Sequence, residues 1–179
     1  MKLSEQQLIK AIYSSWDFQQ ALSALTFLLE ECNFDSKYDK ISLRRFRCYE
    51  SNLIISISRP LEKTRGGIVI GLKALGVKFT SREKLLFEKI SDLRNKVIAH
   101  SQEDEMHFST STFPVDKLNI PDFRFSEQLF LSKQELLEIE EVLHKILLQM
   151  SKFFMKVAQE NPELLRKHQE PKSINKNIN

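Results

Sequence analysis

Apolar and polar positions in this chain recur mostly at helical spacing. Leu8, Ile12, Leu22, Leu25 and Leu29 suit one face of a helix, and Ser4 with Gln7 three residues later can form a capping box. These features predict a first helix over residues 4–32. The polar connection Asn33 to Lys40 leads to a second helix, from about Ile41 to Ser58. Its stripe is Leu43, Phe46, Leu53 and Ile57, stepping by three and four once position 50 is included. Pro60 is expected to end or kink it.

Beyond Gly66-Gly67, the segment Ile68 to Val77 predicts a small extra helix. Thr80 or Ser81 caps a third helix, with Glu83 or Lys84 in its first turn and Leu86, Ile90, Leu93 and Val97 as its apolar line. Ser132 and Glu135 make a capping box for a fourth helix. The line Leu136, Ile139, Leu143, Ile146, Met150, Phe153 and Val157 is long enough to pack against two neighbours or against another subunit.

Residues 106–131 lie between these last two helices and hold Pro114, Pro121 and two alternating runs, Met106 to Thr110 and Phe123 to Ser126. A long structureless insertion is unusual in a compact domain, so a small hairpin or ordered flap is expected. Residues 159–179 read as a flexible polar tail. The expected fold is all-α: an up-and-down bundle of four main helices in one domain over residues 1–158.

Composition agrees, since 4 Gly and 5 Pro among 179 residues favour long helices. Cys32 and Cys48 lack metal-ligand spacing and read as reduced thiols, which points to a cytoplasmic protein. The start, Met1 to Gln7, is too polar for a signal peptide, and no apolar run reaches membrane-spanning length, so no membrane partner is expected. The net charge of +3 is uneven: residues 36–100 hold 15 Lys/Arg against 6 Asp/Glu. That excess suits an anionic partner, nucleic acid being the commonest large one, although a solvated basic surface gives the same balance.

The candidate chemistry lies in Leu93 to Ser101, which contains Arg94, Asn95 and His100. Arg is a permanent cation suited to phosphate, and His exchanges protons near neutral pH. Six residues of ideal helix turn roughly 600°, which leaves Arg94 and His100 about 120° apart. Either the helix loosens near Ala99, or a second chain presents its own pair across a two-fold axis. His100 also extends the line of Leu93 and Val97, so a structural His interacting with the helix dipole is the plain alternative.

Leu93 to Ser101 resembles the Arg-(four to six residues)-His signature of the HEPN superfamily, in which the residue after Arg is usually polar and commonly Asn. The helix from Arg44 to Arg59 resembles the second helix of abortive-infection-type HEPN proteins. The resemblance spans about residues 5–155. It implies a metal-independent endoribonuclease built at a homodimer interface, without a cofactor, acting as a toxin or phage-defence effector restrained by a neutralising antitoxin or partner protein. Arg94, Asn95 and His100 would be the catalytic set. Gln102 departs from HEPN toxins that carry a modifiable Tyr two residues after the His. Non-catalytic members also exist, so the alternative is a module that binds nucleotide, RNA or protein and cuts nothing.

Glu50 interrupts the second helix's apolar stripe, and a buried carboxylate is costly unless paired. Pairing with Arg94 would account for both residues; exposure at the edge of the stripe is the other reading. Arg44, Arg45 and Arg47 beside Tyr49, together with Lys96, are candidates for holding RNA, with phosphates on the cations and a base stacked on Tyr49; a solvated helix start explains the arginine cluster equally well. His107, His144 and His168 share no metal-ligand spacing, Gly66-Gly67 lacks the ending of a phosphate loop, and no metal is expected.

Overall fold

The computed structural model describes residues 4–61, 75–98, 108–125 and 128–166. Its helices are α1 (Glu5–Glu31), α2 (Lys40–Leu61), α3 (Ser81–Leu93), α4 (Lys133–Glu160) and the short α5 (Pro162–Arg166). A π-helical turn, Arg94–Ile98, continues α3. Strands β1 (Phe108–Val115) and β2 (Leu118–Phe125) form an antiparallel hairpin before α4. The architecture is therefore an all-α bundle with a small hairpin ahead of its last long helix.

Three capping boxes fix helix starts. Ser4, Thr80 and Ser132 each accept a bond from the backbone of Gln7, Glu83 or Glu135, whose side chain bonds back to the cap residue. Asp39 serves α2 by accepting from the Ser42 amide at 2.8 Å. Pro60 lies in the last turn of α2, which runs one residue beyond it.

Side-chain pairs set the helix directions. Arg59 meets Asp17 at 3.6 Å, while Tyr49 and Arg45 meet Glu31, so α1 and α2 are antiparallel. Lys145 bonds Glu83 at 3.0 Å and Lys89 bonds Glu135 at 2.7 Å, so α3 and α4 are antiparallel. Ile12 and Trp16 share a pocket with Phe154, which puts the end of α4 beside the start of α1. The four long helices thus alternate up and down.

The interior combines Phe18, Leu25 and Leu28 of α1 with Phe46, Leu53, Ile54 and Ile57 of α2, Ile90 of α3, and Leu136, Ile139, Leu143 and Ile146 of α4. Helix α4 packs against both α1 and α3. The expected α1 stripe needs correction. Leu8 and Leu25 are buried, but Ile12 is 40% exposed and Leu22 and Leu29 are only half-buried. The inner face instead runs through Ala11, Ser14, Phe18, Ala21, Ala24 and Leu28, where small side chains let neighbouring helices approach closely.

At the C-terminal side α4 extends to Glu160, and Pro162–Arg166 adds one helical turn. Proline suits that first helical position, where no N–H partner is needed. The small helix expected within residues 68–77 falls mainly outside the described residues.

Candidate functional site

One end of the bundle gathers most of the residues singled out by sequence. The C-terminus of α1, the first half of α2, the end of α3 and the start of α4 meet there, and the hairpin enters at the same place. The π turn that carries Arg94 packs against α2.

Helix α3 changes winding at Arg94. The Arg94 N–H is shared between the Ile90 and Ser91 carbonyls, and the π turn then spans Arg94–Ile98. Single π turns inside helices are frequent at functional sites, because they redirect side chains without ending the helix. The loosening expected near Ala99 therefore begins five residues earlier, and the 100° arithmetic does not carry across the motif. His100 itself lies outside the described residues, as do Gln102, His107 and His168.

Arg94 is half-buried, and its Nη1 donates to the exposed Asn95 Oδ1 at 2.7 Å. Asn95 thus spends its oxygen on orienting the guanidinium. Lys96 is exposed and lies 3.7 Å from Asp92, one turn back. A solvent-facing pair of this kind contributes little to stability and does not prevent the ammonium from meeting a phosphate.

Of the two readings open for Glu50, burial and exposure at the edge of the stripe, the structure shows burial, but with main-chain partners instead of Arg94. Its Oε1 accepts from two successive main-chain amides, Phe130 N and Leu131 N, each at 2.8 Å. Its Oε2 is buried without a hydrogen-bond partner among the described residues. The physical reason is local. Residues just before an N-cap have amides that no helix carbonyl satisfies, and Glu50 fills that need ahead of Ser132. Burial pushes the Glu50 carboxyl up to about 7, against the two amides and the positive charges of Arg47 and Lys89, which favour ionisation. The buried Cys32 thiol is pushed up by burial and by the Glu50 charge, which makes it a poor nucleophile.

The basic cluster of α2 divides. The Arg47 guanidinium lies over the Phe130 ring at 5.1 Å. Arg45 meets Glu31 at 3.3 Å and sits over the Phe46 ring. Tyr49 donates to Glu31 at 3.1 Å and tilts against Phe27, so its ring helps close the α1–α2 seam. Arg44 is exposed. The structure brings together Arg47, Glu50 and Phe130–Leu131, and separately Arg94 with Asn95. The sequence reading missed Glu31, Lys89 and the Phe130–Leu131 amides; only the last carried a signal, their place just before a capping box.

Elsewhere, His144 is exposed, and no cluster of His, Cys, Asp or Glu able to hold a metal occurs among the described residues. An open pocket of about 280 Å³, lined by Ile12, Ser15, Trp16, Gln19 and Phe154, lies at the opposite end of the bundle. No described helix is long and apolar enough to cross a membrane. Compared with protein-family models, curated proteins and solved structures, the chain matches none.

Proposed function

We propose that the protein is a HEPN-like, metal-independent endoribonuclease, with Arg94 and His100 as its reacting pair and Asn95 as the residue that orients Arg94. The observation that carries the reading is the Arg94–Asn95 contact at a π turn, on a half-buried arginine packed beside a cationic helix. A guanidinium held by its neighbour loses less side-chain freedom when it grips a phosphate, and its charge-assisted bonds strengthen as phosphorane charge develops.

Cleavage by the RNA 2′-hydroxyl needs a base at that oxygen and an acid at the departing 5′-oxygen. One imidazole cannot fill both roles at the same instant, so two copies of His100 across a homodimer would divide them. The nucleophile restricts the substrate to RNA, and the products are a 2′,3′-cyclic phosphate and a 5′-hydroxyl. Arg44, Arg47 and Lys96 supply cations along the approach. Tyr49 has a weaker part, since its ring already packs on Phe27. Glu50 acts on the fold of the site rather than on the phosphate. An effector of this kind would be held in check in the cytoplasm by a neutralising protein.

The test is incubation of the purified protein with total cellular RNA in EDTA, with Arg94→Ala and His100→Ala alongside, and chemical mapping of the new ends. Cyclic-phosphate ends made by the wild type alone support the reading. A folded wild type that binds RNA without cutting it would replace the reading with a binding module.

A further inference from the structure

We infer that the β1–β2 hairpin is a dimerisation arm that docks on a second copy of this chain. Fifteen of its sixteen strand residues are exposed, Asp122 being the exception. Its register assigns side chains to two faces. Phe108, Phe123 and Phe125 share one face near the base; Phe113, Val115, Leu118 and Ile120 share the other near the Asp116–Lys117 turn. These seven side chains keep between 37% and 70% of their surface. A two-stranded hairpin with nothing against its faces is marginal in water, and this one packs chiefly against itself.

The amount of surface fits a dimer. At ~200 Å² for a large apolar side chain, the arm presents roughly 700 Å², divided between its two faces. With both faces covered, two arms would bury roughly 1,400 Å² of apolar area, inside the range of stable protein–protein interfaces.

Charge and edges narrow the occupant. Asp116, Lys117, Asp122 and Arg124 leave residues 108–125 with no net charge, and Arg124 bonds Asp122 at 2.8 Å. The arm therefore offers a nucleic acid little to hold, while two neutral copies meet without repulsion. Pro114 and Pro121 have no N–H for the ladder, so each takes an outward position and blunts one edge against strand addition. Contact must then run through the faces. The chain after β2 is tied to Glu50 by the Phe130 and Leu131 amides. Copies joined through the arms therefore bring two equivalent bundle ends together, those bearing Arg94. The inference goes beyond the proposed activity by naming the joining element, and it survives if no cleavage is ever observed.

The experiment is sedimentation velocity on the full chain from about 1 to 100 μM, with Phe123→Asp and Leu118→Asp, one on each face. Expected is a wild-type dimer, with dimer affinity weakened roughly tenfold or more in both variants and helical circular dichroism unchanged. A wild type that stays monomeric overturns the inference, as does a dimer indifferent to both substitutions. So does a monomer whose binding of single-stranded RNA is lost in the variants, which would make the arm an RNA platform. Should a variant fold poorly, a photo-crosslinking residue at position 119 of the otherwise native chain decides. A crosslinked dimer supports the arm, and its absence refutes it.

Discussion

Phe18 and Phe46 in the bundle are wholly inaccessible, whereas Phe123 and Phe125 in the hairpin keep 60% and 50% of their surface. The same side chain meets opposite fates because the two regions differ in how many layers they have. Four helices enclose an interior; two strands have only faces. The bundle encloses a large apolar interior within one chain, although Trp16, Phe27 and Met155 stay exposed on its surface; the hairpin has no interior and leaves all of its large apolar side chains outside. A count of hydrophobic residues does not separate the two cases, but the number of elements available to cover them does.

The largest effect that tests this contrast is Phe18→Ala. Removing a buried ring should cost about 3–5 kcal/mol of bundle stability, read by chemical unfolding followed by circular dichroism. A loss below about 1 kcal/mol would mean that the interior is not organised around this ring.

Next comes Glu50→Gln, which probes the most polar spot in the interior. The Glu50 carboxyl titrates at about 7 in the folded chain against an ordinary value of 4.5. Its stabilising contribution is therefore complete below 4.5 and is lost as pH rises through about 7. Over that interval the wild type should give up about 3 kcal/mol that the variant retains. Gln keeps an oxygen for the two amides, so the stability gap in favour of Gln should grow from pH 4.5 to 7 and level off above. A pH-independent gap would locate the titration elsewhere.

Ser132→Ala removes the cap of α4 and should cost about 1 kcal/mol, because the Glu135 N–H loses its partner. Smallest of all, Phe113→Ser should change the unfolding free energy of the monomeric bundle by less than about 0.5 kcal/mol. A Phe113 effect as large as that of Phe18 would erase the distinction between the two regions.

Much of the bundle was legible because helix starts carry local chemistry. Ser4, Thr80 and Ser132 each sit three residues before a Gln or Glu that completes the box. The α4 line was equally readable, since large apolar residues follow the helical period without interruption. Helix α1 was misread because Ala11, Ala21 and Ala24 do their packing by being small, a signal that a search for large residues overlooks. The hairpin could be read as alternation, but Pro114 and Pro121 concealed its full length, because prolines at outward edge positions leave the ladder intact. For Glu50 the phase of the stripe left burial and edge exposure both open, because one helix's pattern does not fix where its buried face ends. Its partners are main-chain amides 80 and 81 residues away, whose one sequence signal is their place just before a capping box.

The π turn at Arg94–Ile98 has a consequence for how this chain tolerates insertion and deletion. A π turn takes more residues per turn than an α turn, so within Arg94–Ile98 successive side chains advance by less than the ordinary ~100°. Removing a single residue between 94 and 98 would let this segment wind as an ordinary α turn, so the deletion is absorbed by the winding instead of breaking α3.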